Sequence, residues 1–246
     1  MIHLIRAEII KFRSVRSTVV LLVAAGALVV LVAALQVHDI EANERLSRQL
    51  GDLTGGVTLA VFLFGALGVQ VIGQEYRFNT IRTTLAAAPT RWKVLLAKLV
   101  VVTVACAVMA LMGVAACAVI GDRFLDGFQI DEIDHRLIWA TALFASGWSA
   151  MGLGLGAIVR QPIAGILLLL GEAFVAEPLI GTLFPGTAPW LPFANGVQMT
   201  TRDGAGGGGP DGEAVYRSIL AGGVYFFVIT AVVLAVGTYL ASRRDA

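Results

Sequence analysis

The stretch EYRFNTIRTTLAAAPTRWKVLLAK, residues 75–98, decides how this chain is read. It is polar, basic and interrupted by proline, yet long apolar runs flank it at 56–72 and 94–120. The 246-residue chain is 57% hydrophobic and 14% charged, with a mean hydropathy of +0.82. Soluble domains carry about 25% charged residues. An all-α integral membrane protein is therefore expected. A spanning helix needs about 20 mostly apolar residues, and six runs qualify, at 18–36, 56–72, 94–120, 137–159, 162–184 and 219–241. The third is long enough to tilt or to project from the bilayer. The two cysteines, Cys106 and Cys117, share that run and read as small buried apolar residues. No ligand spacing supports a metal site, and a net charge of +1 leaves no footprint for nucleic acid.

Basic residues orient the spans. Arg6, Lys11, Arg13, Arg16, Arg77, Arg82, Arg91, Lys93, Lys98, Arg160, Arg243 and Arg244 fall on one side. Only Arg45, Arg48, Arg123, Arg136, Arg202 and Arg217 fall on the other. The positive-inside rule makes the first side cytoplasmic, with both termini inside. The acidic stretches HDIEANE and DEIDH then lie outside. Residues 1–17 are too charged to span. Ile2, Ile5, Ile9 and Phe12 recur at helical spacing, so this segment reads as an amphipathic helix in the interface. It is either an anchor or a connecting helix that also touches a cytoplasmic partner. A signal peptide is not expected, because the apolar run exceeds a signal's hydrophobic core and no small-residue cleavage site comes after it.

With that topology, 74–93 is a cytoplasmic loop that leaves span two and returns to span three. Pro89 drives Ala88 out of helical conformation, and Thr90 is a good N-cap for RWKVLLAKLVV. The expectation is helix, proline-marked turn, helix. A short helix held against the membrane by two spans is a lever for a soluble partner. Glu75, Asn79-Thr80, Leu85, Ala88-Pro89-Thr90-Arg91 and Lys98 together resemble the loop of ABC type-2 exporter permeases. That family usually has Gly before the Thr, where this chain has Asn79. The resemblance extends to the layout of interfacial helix, six spans and an outer segment at 185–218.

The resemblance carries specific implications. Glu75, Asn79, Thr80, Leu85, Ala88, Pro89, Thr90 and Arg91 would form a coupling helix that docks into a separate ATPase subunit. Two permeases, as a homodimer or heterodimer, would enclose the pathway. Cargo would be amphipathic or lipophilic and move outward. ATP and Mg would sit on the ATPase, with no cofactor on this chain. Residue usage, rich in Ala, Val and Gly and favouring Arg over Lys, suits a bacterial plasma membrane. The chain has no P-loop pattern, and GAGGGGPDG at 204–212 lacks the lysine such a loop requires. GLGLG at 152–156 lies inside a span and cannot cradle phosphate. With Ala145 and Ser149 it forms a small-residue stripe, Ser149, Gly152 and Gly156, that lets helices approach closely.

Span five carries two acids, Glu172 and Glu177. On an α-helix five residues turn by about 140° beyond one revolution, so the two carboxyls are not expected to share a face. Glu172 falls about 15 Å into the bilayer, where ionisable groups usually face protein or water. Three readings stay open. Pro178 ends the span early and leaves Glu177 in water on a re-entrant segment; Glu172 lines a path for cationic cargo; or the acids form a proton or cation site. The Pro- and aromatic-rich FPGTAPWLPFANG, with Trp190 and Phe193, suits the outer interface. An ion-coupled secondary transporter and a membrane-embedded enzyme using Glu172 or Glu177 are the alternatives. His3, His38 and His135 near span ends weaken the second, and the lack of an internal repeat weakens the first.

Overall fold

A computed structural model describes residues 1–42, 49–81, 91–201 and 218–244. Six of its helices are long and apolar enough to cross a membrane. They are span one (Arg16–Ala42), span two (Gly56–Arg77), span three (Arg91–Phe124), span four (Glu132–Val159), span five (Pro162–Leu183) and span six (Ile219–Arg244). Span three has 34 residues, about 50 Å at helical rise, so it overreaches a hydrocarbon core of about 30 Å.

Spans two and four form the centre. In each, 72% of the apolar window is buried, against 22–39% for the other four, whose outer faces are left for lipid or partners. The central pair meets through small residues. A Cβ added at Gly68 would collide with the Ser149 carbonyl, and one at Gly152 with the Gly65 carbonyl. Gly156 faces Val69 and Ile72 in the same seam, and Ala145 is fully buried. Helices in lipid associate by such close packing because no hydrophobic gain separates protein from lipid tails. A ring cluster closes one end of the centre. Phe62 of span two stacks on Phe174 of span five at 4.1 Å, and Trp148 of span four lies 4.9 Å from Phe193.

The chain begins with the helix Ile2–Ser14. Its buried face is centred on Glu8, whereas Ile2 and Ile10 are exposed by 80% and 62%. The expected apolar stripe therefore divides, because Phe12 and Ile5 turn partly inward beside Glu8. Val15 breaks the helix in extended conformation, and span one starts at once.

Span five departs from a plain helix. An α-helical part, Pro162–Gly171, runs into a π-helical turn, Glu172–Ala176, and then into the helix Glu177–Leu183. The widened turn has a local cause. Proline in a regular α-helix loses a hydrogen bond and drives its ring into the carbonyl four residues back. Here the Glu177 amide bonds back to Glu172, and that wider register lets Pro178 enter the first turn of the next helix. The span continues past Pro178 instead of ending early. A 3₁₀ turn, Pro185–Trp190, and a short helix, Pro192–Met199, then fold back against spans four, five and six.

The face opposite the N-terminal helix is tied by the DEIDH stretch. Asp131 and Asp134 form a reciprocal capping box at the start of span four. The fully buried Asp134 also accepts from the Gly51 amide, on the short helix that precedes span two.

Candidate functional site

Four charged side chains from three elements meet where spans two and three join the loop. Lys98 Nζ donates to Glu8 Oε2 at 2.7 Å and to Glu75 Oε1 at 2.6 Å. Lys11 Nζ donates to Glu75 Oε1 at 3.0 Å and to Glu8 Oε1 at 3.2 Å. The result is a closed ring of two acids and two bases. Lys98 is 1% exposed, and both carboxylates are nearly buried. Half-exposed Lys11 forms the outer wall. Burial opposes its charge, but Glu75 and Glu8 outweigh that, and its pKa is raised above 10.5.

A lysine about two turns inside an apolar helix is costly unless a partner and further hydrogen bonds meet it. Glu75, on the last turn of span two, supplies the partner. Glu8, the lone acid of the N-terminal helix, supplies the second contact. The ring thus locks both stems of the loop to each other and to the N-terminal helix. Glu8 and Lys11 escape a sequence reading centred on the loop motif. The signal for them is a single acid on a basic helix, one turn before a lysine, together with Lys98 buried in an apolar run.

Span two ends in a defined cap. Asn79 has φ of 55°, in the left-handed region. The Thr80 amide bonds to the Glu75 carbonyl at 3.0 Å and the Asn79 amide to the Tyr76 carbonyl at 3.2 Å. These are the two hydrogen bonds of a Schellman cap, which asks for glycine at the left-handed position and accepts asparagine next best. The replacement of Gly by Asn79 thus keeps the backbone turn. Arg160, also left-handed at φ 60°, ends span four and lies over the Tyr76 ring at 5.1 Å.

Half of the expected loop residues are placed. Glu75 belongs to span two and is buried, Asn79 and Thr80 form the cap, and Arg91 opens span three. Leu85, Ala88, Pro89 and Thr90, with the expected coupling helix and its N-cap, lie outside the described residues.

The span-five acids are closer than expected. In a π-turn, five residues complete roughly one revolution rather than 140° beyond one, so Glu172 and Glu177 face the same way. The π-turn brings the two carboxyls close enough to interact with each other. The expectation that they share no face is corrected, and so is that of Glu177 in water, for it is only 4% exposed. Glu177 accepts from the backbone amides of Phe193 at 2.5 Å and Ala194 at 2.8 Å. It caps the helix Pro192–Met199 from outside, where the amides are otherwise unpaired. Phe193, expected at the interface, packs into the ring cluster instead. Trp190 is 59% exposed, with Tyr225 bonded to its carbonyl at 2.8 Å.

Among the described residues, no group of three His, Cys, Asp or Glu side chains is placed to hold a metal ion. The profile of one protein family, described as ABC-2 family transporter protein, matches residues 4–184. The matched part contains the charge ring, the central pair of spans and both acids of span five. No curated protein matches the chain.

Proposed function

The chain belongs to the ABC-2 transporter family and is a multi-pass membrane permease, and from that premise we propose that it is the membrane subunit of an ATP-driven exporter. The face bearing the N-terminal helix is cytoplasmic in this reading. A separate ATPase binds ATP and Mg and docks on the segment from Glu75 to Arg91. Two permease subunits, alike or different, frame the path for an amphipathic or lipophilic cargo.

The charge ring is the observation that carries the proposal. A loop that served topology alone would have no use for a buried lysine joining both of its stems to a third helix. Such a ring transmits force. A push on the loop cannot move span two without moving span three and the N-terminal helix, because parting them would leave a buried charge unpaired. Closure of the ATPases would thereby shift these elements as one body and change access to the pathway.

The test is co-purification. The tagged chain is expressed with its neighbouring genes and solubilised in mild detergent. Retention of the ATPase, lost on Pro89→Leu, is expected. Lys98→Met is expected to keep the ATPase bound while removing cargo-stimulated hydrolysis. An absence of any ATPase after crosslinking would overturn the proposal. One observation favours a second reading, ion-coupled transport. The π-turn sets Glu172 and Glu177 on one face inside span five, and a pair of acids at that depth offers a place for a transported proton. Uptake that follows a pH gradient without ATP would establish it.

A further inference from the structure

A cavity of about 490 Å³ opens beside the charge ring, between the N-terminal helix and spans one, two and three. This is the volume of a small-molecule site. Its walls are of two kinds. Glu75 and Lys11 lie at the charged end. Phe12, Val15, Val71 and Val101 supply most of the apolar lining, with Phe78 on the loop side and the neutral polar Thr18 and Gln74 beside it. Val71 lies one turn before Glu75 on span two, and Val101 about one turn beyond Lys98 on span three. The apolar wall is therefore on the membrane side of the charges, which is the polarity of a lipid with its headgroup at the ring.

The ring leaves one acceptor unused. Glu75 Oε1 takes both lysines, while the buried Glu75 Oε2 has no hydrogen-bond partner among the described residues. A buried carboxylate oxygen demands a donor, and most strongly a charged one. The ring is already neutral, with two acids and two bases, so a lone cation or anion would unbalance it. A zwitterion does not. We propose that this cavity binds a lipid whose headgroup joins a primary ammonium to a phosphate. The ammonium donates to Glu75 Oε2, the phosphate lies towards Lys11, and an acyl chain runs along Val71 and Val101. A quaternary ammonium has no N–H to offer and is refused. The site needs no ATPase and stands independently of the transport cycle.

The experiment uses the full chain in bilayer nanodiscs containing equal parts phosphatidylethanolamine, phosphatidylcholine and phosphatidylglycerol. The lipid retained after detergent extraction is measured by mass spectrometry. Phosphatidylethanolamine is expected to be enriched about tenfold, the scale of one charged hydrogen bond. Glu75→Gln is expected to abolish the enrichment. Because that variant disturbs the ring, Val71→Trp serves as the second, filling the apolar wall while leaving all four charges; it too is expected to lose the lipid. Equal retention of phosphatidylcholine overturns the proposal, as does preference for phosphatidylglycerol or enrichment that survives Val71→Trp. Displacement by soluble phosphoethanolamine would overturn the lipid as the occupant and assign the site to a soluble amine phosphate.

Discussion

Asn79 does the work of a glycine at the end of span two, and its substitutions separate backbone from side chain. Asn79→Gly should leave stability unchanged or raise it slightly, while Asn79→Val should cost about 1–2 kcal/mol, since a β-branched residue resists left-handed dihedrals. Thermal unfolding in detergent reads both. Lys98 is more demanding. Lys98→Met strands two buried carboxylates and should destabilise by about 3–5 kcal/mol. Adding Glu75→Gln and Glu8→Gln to it should restore part of the loss, because a ring removed whole leaves no unpaired charge; a triple variant worse than Lys98→Met would refute the ring. The raised pKa of Lys11 sets the direction with pH. Its contribution is full below 10.5 and declines as pH rises through the higher folded value, a modest effect for a half-exposed group. Lys11→Met should therefore lower the melting temperature at neutral pH, and the deficit should shrink once pH passes above 10.5. A deficit that stays constant across that range would show that the Lys11 charge contributes nothing.

At the scale of elements, the π-turn of span five governs the segment after it. It aims Glu177 at the amides of Phe193 and Ala194, so the helix Pro192–Met199 depends on a side chain sixteen residues earlier. Glu177→Ala should speed hydrogen exchange at residues 193–195 by about ten- to a hundredfold, the equivalent of one charged cap, with span two unaffected. Exchange unchanged in Glu177→Ala would show that the cap is dispensable.

For the whole molecule, the decisive contact is the seam between spans two and four. Gly68→Leu or Gly152→Leu should abolish recovery of monodisperse protein, because backbone, which cannot move aside, occupies the space of the new side chain. Leu168→Ala on the exposed face of span five should be tolerated in the isolated subunit. Gel filtration of the fluorescent-tagged variants distinguishes the two. The central seam also ties the charge ring to the core. Span two carries Glu75 at one end and Gly65 and Gly68 against span four in its middle, so it joins the ring to the core.

Six spans, their approximate limits and the basic loop between the second and third are written in the sequence, because apolar length and charge act locally and independently of folding partners. The small-residue stripe of span four is legible as well, whereas the backbone at Asn79 is decided by the cap that ends span two. Only the tertiary structure decides which charges meet. Glu8 and Lys98 are 90 residues apart, and nothing in either neighbourhood names the other. The pairing of Glu172 with Glu177 is hidden differently. A periodicity of 3.6 assumes an unbroken hydrogen-bond register, and a slip of one residue, made to admit Pro178, turns two opposed acids into neighbours.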